Sequence, residues 1–346
     1  MTPLTSRRLL IGIIFLANFG LVIQYIVKLN RQKEVEITSV FSSVELEDCY
    51  CANNTRIKFQ PSKVSSERIS FNETTCSYNA FARGFNQSVI AFSLYGEQTP
   101  KLEKERGYFE GIKANLDLLP VHYPGHTMRV YFSQISKATH KKLCELACLS
   151  KMIDLCDVAK LPGSPMKDAT ALFPMIWRFL PTLDPQVSYV HVRDLDSRLS
   201  TREAAAVSEF LESEKPLHSM RDNKNHWIEM LGGMWGARLN NKTRKLWKDS
   251  WKGILSDPNS YASWDKRGAD QALLTKHVWK TFGGPEGCLQ HDSYLCNAFP
   301  GSVPWPTQRL MTPCNFVGCV FKQNVTLTEK CPLECRPKNH LDWESC

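Results

Sequence analysis

Residues 187–196 read Val187-Ser188-Tyr189-Val190-His191-Val192-Arg193-Asp194-Leu195-Asp196. The first six are mostly apolar, aromatic or β-branched, as a buried strand requires. That strand runs straight into two aspartates separated by one residue. Ser200-Thr201-Arg202-Glu203 follows, a capping box that predicts the start of a helix. Ala204, Val207, Phe210 and Leu211 give the helix an apolar face. Strand, acidic turn and helix in this order place both carboxylates in a fixed turn at a strand's carboxyl end.

The same alternation extends outward. Ser88–Tyr95, Thr127–Phe132 and Ile153–Ala159 read as strands. Helices are expected over Tyr108–Leu119, stopped by Pro120, over Lys137–Ser150, and over Ala169–Leu180 despite Pro174. Strands alternating with helices predict an α/β fold: a Rossmann-type, mostly parallel sheet with helices on both faces. Ligands of such sheets bind outside the carboxyl ends of the strands, where the Asp-Leu-Asp motif sits. Trp247 and Trp251, four apart on an expected helix, read as core.

The ends of the chain read differently. Arg7 and Arg8 precede an apolar run over residues 9–27, long enough to cross a bilayer of about 30 Å. Five Asn-X-Ser/Thr sequons, at Asn53, Asn72, Asn86, Asn241 and Asn324, and 13 cysteines outside that run point to the secretory lumen. The expected order is a cytoplasmic tail (1–8), a signal-anchor (9–27), a stem and disulfide-tied entry segment (28–85), a catalytic domain (86–300) and a Cys- and Pro-rich cap (301–346). The odd cysteine count leaves one thiol unpaired or bridged to a second chain, so a homodimer is an open expectation. Cys314, Cys319, Cys331 and Cys335 could instead hold zinc, although no CxxC pair is present. A net charge of +8 suits an anionic donor, an acidic acceptor or lipid headgroups. Its basic residues are scattered rather than striped, which argues against nucleic acid as a partner.

Two carboxylates this close can aim at one hard cation, Mn²⁺ or Mg²⁺, which also binds phosphate oxygens. A lone Asp-x-Asp is common in surface turns; the strand before it and the helix after it give this one its weight. Met220-Arg221-Asp222 and Gly232-Gly233-Met234-Trp235-Gly236 follow downstream. With His191–Arg198 and Arg202-Glu203, this block resembles GT-A-fold glycosyltransferases of the metal-binding Asp-x-Asp type, over roughly residues 88–300.

The resemblance implies transfer of a sugar from a nucleoside-diphosphate donor, foremost a UDP-sugar, to a glycan, glycoprotein or glycolipid in the Golgi or ER. Asp194 and Asp196 would hold the metal, joined by a later histidine; His291 is the best match and His277 its rival. Arg178 and Arg193 are expected on the donor side, and Asp270 or Asp222 as a base for the acceptor. Gly232 and Gly233 permit close backbone approach to a ligand, and Trp235 could stack on a sugar or simply fill the core. A phosphohydrolase of the haloacid-dehalogenase type fits less well, because Ser197 and Arg198 follow the aspartates where Thr or Val is usual. A catalytically silent relative, serving as a lumenal binding or scaffold protein, is the non-enzymatic alternative.

Overall fold

The computed structural model describes Cys49, Cys51, residues 70–163 and residues 166–346. The apolar run at 9–27 and the sequon at Asn53 lie outside the described residues. No helix among the described residues is long and apolar enough to cross a membrane.

Among the described residues eight strands form one sheet: β1 (Gln87–Tyr95), β2 (Thr127–Ser133), β3 (Ile153–Asp157), β4 (Val187–Arg193), β5 (Leu217–Arg221), β6 (Met234–Arg238), β7 (Cys288–Asp292) and β8 (Ser302–Val303). Their order is β3-β2-β1-β4-β6-β5-β7-β8. Every neighbouring pair is parallel except the two that involve β6. The fold is thus mixed α/β with a mostly parallel sheet. Side chains alternate across β1: Val89 and Ala91 enter one apolar cluster, Ile90, Phe92 and Leu94 the other. Both faces of the sheet are therefore buried, and its strands read as continuous apolar runs.

The helices are α1 (Tyr78–Ala82), α2 (Pro100–Glu105), α3 (Tyr108–His122), α4 (Lys137–Leu149), α5 (Thr201–Glu212), α6 (Asn241–Ser256), α7 (Ala269–Leu273) and α8 (Lys280–Phe282). Three local readings change. α3 continues through Pro120, where the missing N–H costs one bond in the last turn. The helix expected over 169–180 is a 3₁₀ run, Pro174–Leu183, opened by one proline and containing another. Ser200 does cap α5, accepting from the Glu203 amide at 3.2 Å, but the Glu203 carboxylate turns away to Arg193 instead of closing the box. Trp247 and Trp251 are buried, as expected.

One compact unit runs from Cys49 to Cys346. Thr74 donates to the buried Asp184 at 2.8 Å, and Asp184 pairs with buried Arg129 at 2.8 Å. Cys49–Cys144, Cys51–Cys148 and Cys76–Cys156 fasten this entry segment to α4 and β3. Their sequence separations are 95, 97 and 80 residues. In the chain-entropy account each such link contributes about 4–5 kcal/mol. Cys296–Cys335, Cys314–Cys319 and Cys331–Cys346 staple the C-terminal segment, so the four cysteines weighed as zinc ligands are bridged instead.

Cys288, the one free cysteine, is buried, which removes it as an interchain bridge. Six disulfides fit a secreted or lumenal protein. Asn72, Asn86, Asn241 and Asn324 are all exposed.

Candidate functional site

The chain leaves β1 toward β2 on one side, while β4 flanks β1 on the other. That reversal opens a crevice at the carboxyl ends of β1 and β4, the place where open α/β sheets take ligands. Tyr95 ends β1, and Asp194 is the first residue after β4. Between the two aspartates, Leu195 is 4% exposed and packs into the apolar cluster around Ile112 and Leu116. An apolar middle residue thus anchors the turn and leaves its neighbours to face the crevice.

Four contacts hold the turn. Asn115, on α3, donates to the Ser197 carbonyl at 2.9 Å and accepts from the Leu199 amide at 3.0 Å. Gly111 lets α3 approach so closely that a Cβ there would strike the Leu195 carbonyl. Ser200 begins α5 directly behind. From the C-terminal segment, the Phe321 amide donates to the Asp196 carbonyl at 2.8 Å.

Arginines partner both carboxylates. Buried Arg178 donates through Nη1 to Asp194 and through Nη2 to Asp270 Oδ2 at 3.0 Å. Arg106 lies 3.4 Å from Asp196. Gly232 and Gly233 abut Asp270 and Asp194, where a Cβ would collide with each carboxylate. These glycines therefore admit protein side chains in the place where a ligand was expected. Burial, then the charge of Asp194, pushes Asp196 up to about 6. Burial also raises Asp270, with Arg178 opposing. Burial lifts Tyr108 to about 12, helped by Asp196. Tyr95 packs edge-on against Trp264 at 5.4 Å, forming an aromatic wall.

Five expected residues do not join this group. Asp222 shares the sheet edge but is buried and fully engaged. It accepts from Arg202 Nε and Nη2, Arg309 Nη2, the Ser293 hydroxyl and the Val317 amide at 2.6–2.9 Å. Burial alone would raise its pKa, but the arginines hold it at about 2. It anchors the C-terminal segment and has no free oxygen to act as a base. His291 lies on β7, three strands from β4, about 14 Å. Its ring nitrogens contact His218 and Glu209, each at 2.9 Å. Arg193 points inward to Glu203, Tyr123 and the Trp235 carbonyl. Trp235 is buried, stacked on Trp247 at 5.6 Å. His277, the rival ligand, contacts Asp257 at 2.9 Å.

Asp194, Asp196, Asp270 and Arg178 do come together. Arg106, Tyr95, Tyr108 and Trp264 were missed, because no sequence pattern links residue 106 to residue 196. Two carboxylates, with side chains 35% and 13% exposed, suit a hard cation that completes its shell with water and phosphate oxygens. Among the described residues one group of three metal-ligating side chains clusters, Cys49, His140 and Cys144. Two of those are disulfide-bonded to each other, which leaves no thiolate for a metal. No protein-family model matches this chain, and no curated protein matches it.

Proposed function

We propose that this chain is a GT-A-like glycosyltransferase, using Mn²⁺ or Mg²⁺ to transfer a sugar from a nucleoside-diphosphate donor, foremost a UDP-sugar, to a glycan, protein or lipid acceptor. On this reading residues 9–27 anchor it in the Golgi or ER membrane as a type II protein. The observation that carries the proposal is the seat of Asp194 and Asp196 at the β1/β4 crevice, beside Asp270 and Arg178.

Asp194 and Asp196 are the residues that would hold the cation, which when bound stabilises charge on a departing diphosphate. Three carboxylates (Asp194, Asp196, Asp270) against two guanidiniums (Arg178, Arg106) leave one net negative charge. A divalent cation reverses that sign, so cation and diphosphate should bind together. Arg178 fixes Asp194 and Asp270 relative to each other. Asp270 remains the candidate base, because Asp222 has no free oxygen. The test is calorimetric titration of the full chain with UDP, with Mn²⁺ and with chelator, wild type against Asp196→Asn. Metal-dependent affinity lost in the variant is expected; equal affinity in all four combinations would sink the reading.

A silent scaffold is the second reading. It is favoured by the arginine partner that each motif carboxylate already has. Hydrolysis of a UDP-sugar panel separates the two, since a scaffold turns over none.

A further inference from the structure

Two large exposed aromatics stand beside the crevice on segments that pack against each other. Trp227 is 74% exposed, in the loop between β5 and β6. Phe321 is 43% exposed, in the C-terminal segment. His226, next to Trp227, faces Phe316 at 6.3 Å and lies against Gly318. Val317 and Gly318 line a small cavity with Asp194, Arg198 and Gly233. The Phe321 amide is itself bonded to the Asp196 carbonyl.

Neither ring sits on a loose loop. Around Trp227, the Asp222 amide donates to His226 Nδ1 at 3.0 Å, and the Glu229 carbonyl accepts from Ser219 and Arg221 at 2.7 and 2.8 Å. Around Phe321, Cys314–Cys319 closes a short ring, and Asn315 clamps both backbone groups of Leu327. The Arg198 guanidinium lies over Phe321 at 4.6 Å, and the residue is still 43% exposed. Charged pairs flank the rings: Lys224 with Glu329, and Lys322 with Glu110.

Isolated exposed apolar residues need no explanation. Two preorganised aromatic plates set among hydrogen-bonding groups beside a crevice do. Such plates offer broad contact at small entropic cost. Their setting beside charged pairs suits a ligand that is apolar on its ring faces and hydroxylated at its rim. A lipid would ask for one continuous apolar patch.

We propose that Trp227 and Phe321 form the acceptor subsite and that the acceptor is a carbohydrate. This rests on the transferase reading and narrows its acceptor class. The experiment uses the full chain in detergent on an array of defined oligosaccharides, as wild type, Trp227→Ala, Phe321→Ala and Trp227→Phe. UDP titration with Mn²⁺ is run on the same preparations, and thermal melts confirm folding.

The expected result is retention of wild type by at least one oligosaccharide class. Both alanine variants should lose at least tenfold, Trp227→Phe should retain part, and the UDP affinity of Trp227→Ala should not change. No retained oligosaccharide, equal retention by all variants, or binding of phosphatidylcholine vesicles instead would overturn the proposal. If carbohydrate binds through these rings while UDP and Mn²⁺ do not, the transferase reading fails and the carbohydrate subsite stands.

Discussion

Arg178 spans Asp194 and Asp270, donating one guanidinium nitrogen to each carboxylate from a position only 2% exposed. The aspartates come from two different elements, the turn after β4 and the first turn of α7. Removing the cation leaves Asp270 buried beside a second carboxylate. Arg178→Ala should therefore cost about 3–5 kcal/mol of stability, the range for breaking a buried pair from one side. Arg178→Lys should recover only part, because an ammonium lacks the planar fork that reaches both partners. Denaturant unfolding of the full chain measures both, and a loss below about 1 kcal/mol for the alanine variant would contradict this role.

Asp222 should prove structural. Asp222→Asn strands Arg202 and Arg309, both buried, and should cost about 3–5 kcal/mol. The Val317 amide loses its acceptor too, so limited proteolysis should cut the C-terminal segment faster. Its folded pKa of about 2 lies below the unfolded value of about 3.9. The stabilisation, about 2–3 kcal/mol, is therefore present above pH 4 and is lost as pH falls from about 4 through about 2. Unchanged proteolysis, with lost UDP binding in folded protein, would restore a site role for Asp222.

The strands bordering the crevice were legible because each is a run of apolar or β-branched residues. β6 was not, since Met234–Arg238 sits behind two glycines and resembles a ligand loop. Trp235 shows the ambiguity: a tryptophan beside glycines fits a sugar platform or a core turn equally well, and packing on Trp247 decides for the core. The Asp-Leu-Asp turn was readable, but not its partners. Arg106 lies 90 residues before Asp196, and Asp270 lies 92 after Arg178. The C-terminal segment reaches the site through the Phe321 amide, and a backbone N–H leaves no trace in residue type.

The thiol count is a direct check on the disulfides. All 13 cysteines are assigned, twelve in six bridges and Cys288 buried. Burial raises the Cys288 thiol far above its ordinary value. A thiol reagent should find no reactive group in native protein and one after denaturation without reductant. Two or more, or a covalent dimer on a non-reducing gel, would overturn the pairing.

The buried histidines predict how the fold responds to acid. His126, just before β2, lies in a file with His191, His218 and His291 of β4, β5 and β7, with Phe210 of α5 stacked on His218 at 5.0 Å. Among the described residues neither ring nitrogen of His191 has a partner, nor has His218 Nδ1 or His126 Nε2. Burial lowers the pKa of all four, and lowers His226 to about 4. Within the file only His291 has carboxylates opposing that shift, Glu209 on α5 and then Asp222; at His226 it is opposed by Asp222, Asp292 and Asp194. Each ring thus takes up its proton at lower pH when folded than when unfolded, where the ordinary value is about 6.5. Below that pH the unfolded chain binds more protons, so stability falls as pH falls, by up to about 1.4 kcal/mol per pH unit for each histidine. Melting temperature followed from pH 7.5 to pH 5 should drop steeply below about 6.5. His191→Phe keeps the aromatic contacts with Tyr123 and Phe210 and removes one titrating group, so its curve should be shallower. Identical slopes for wild type and variant would show that His191 takes up its proton in the folded state, contrary to its burial.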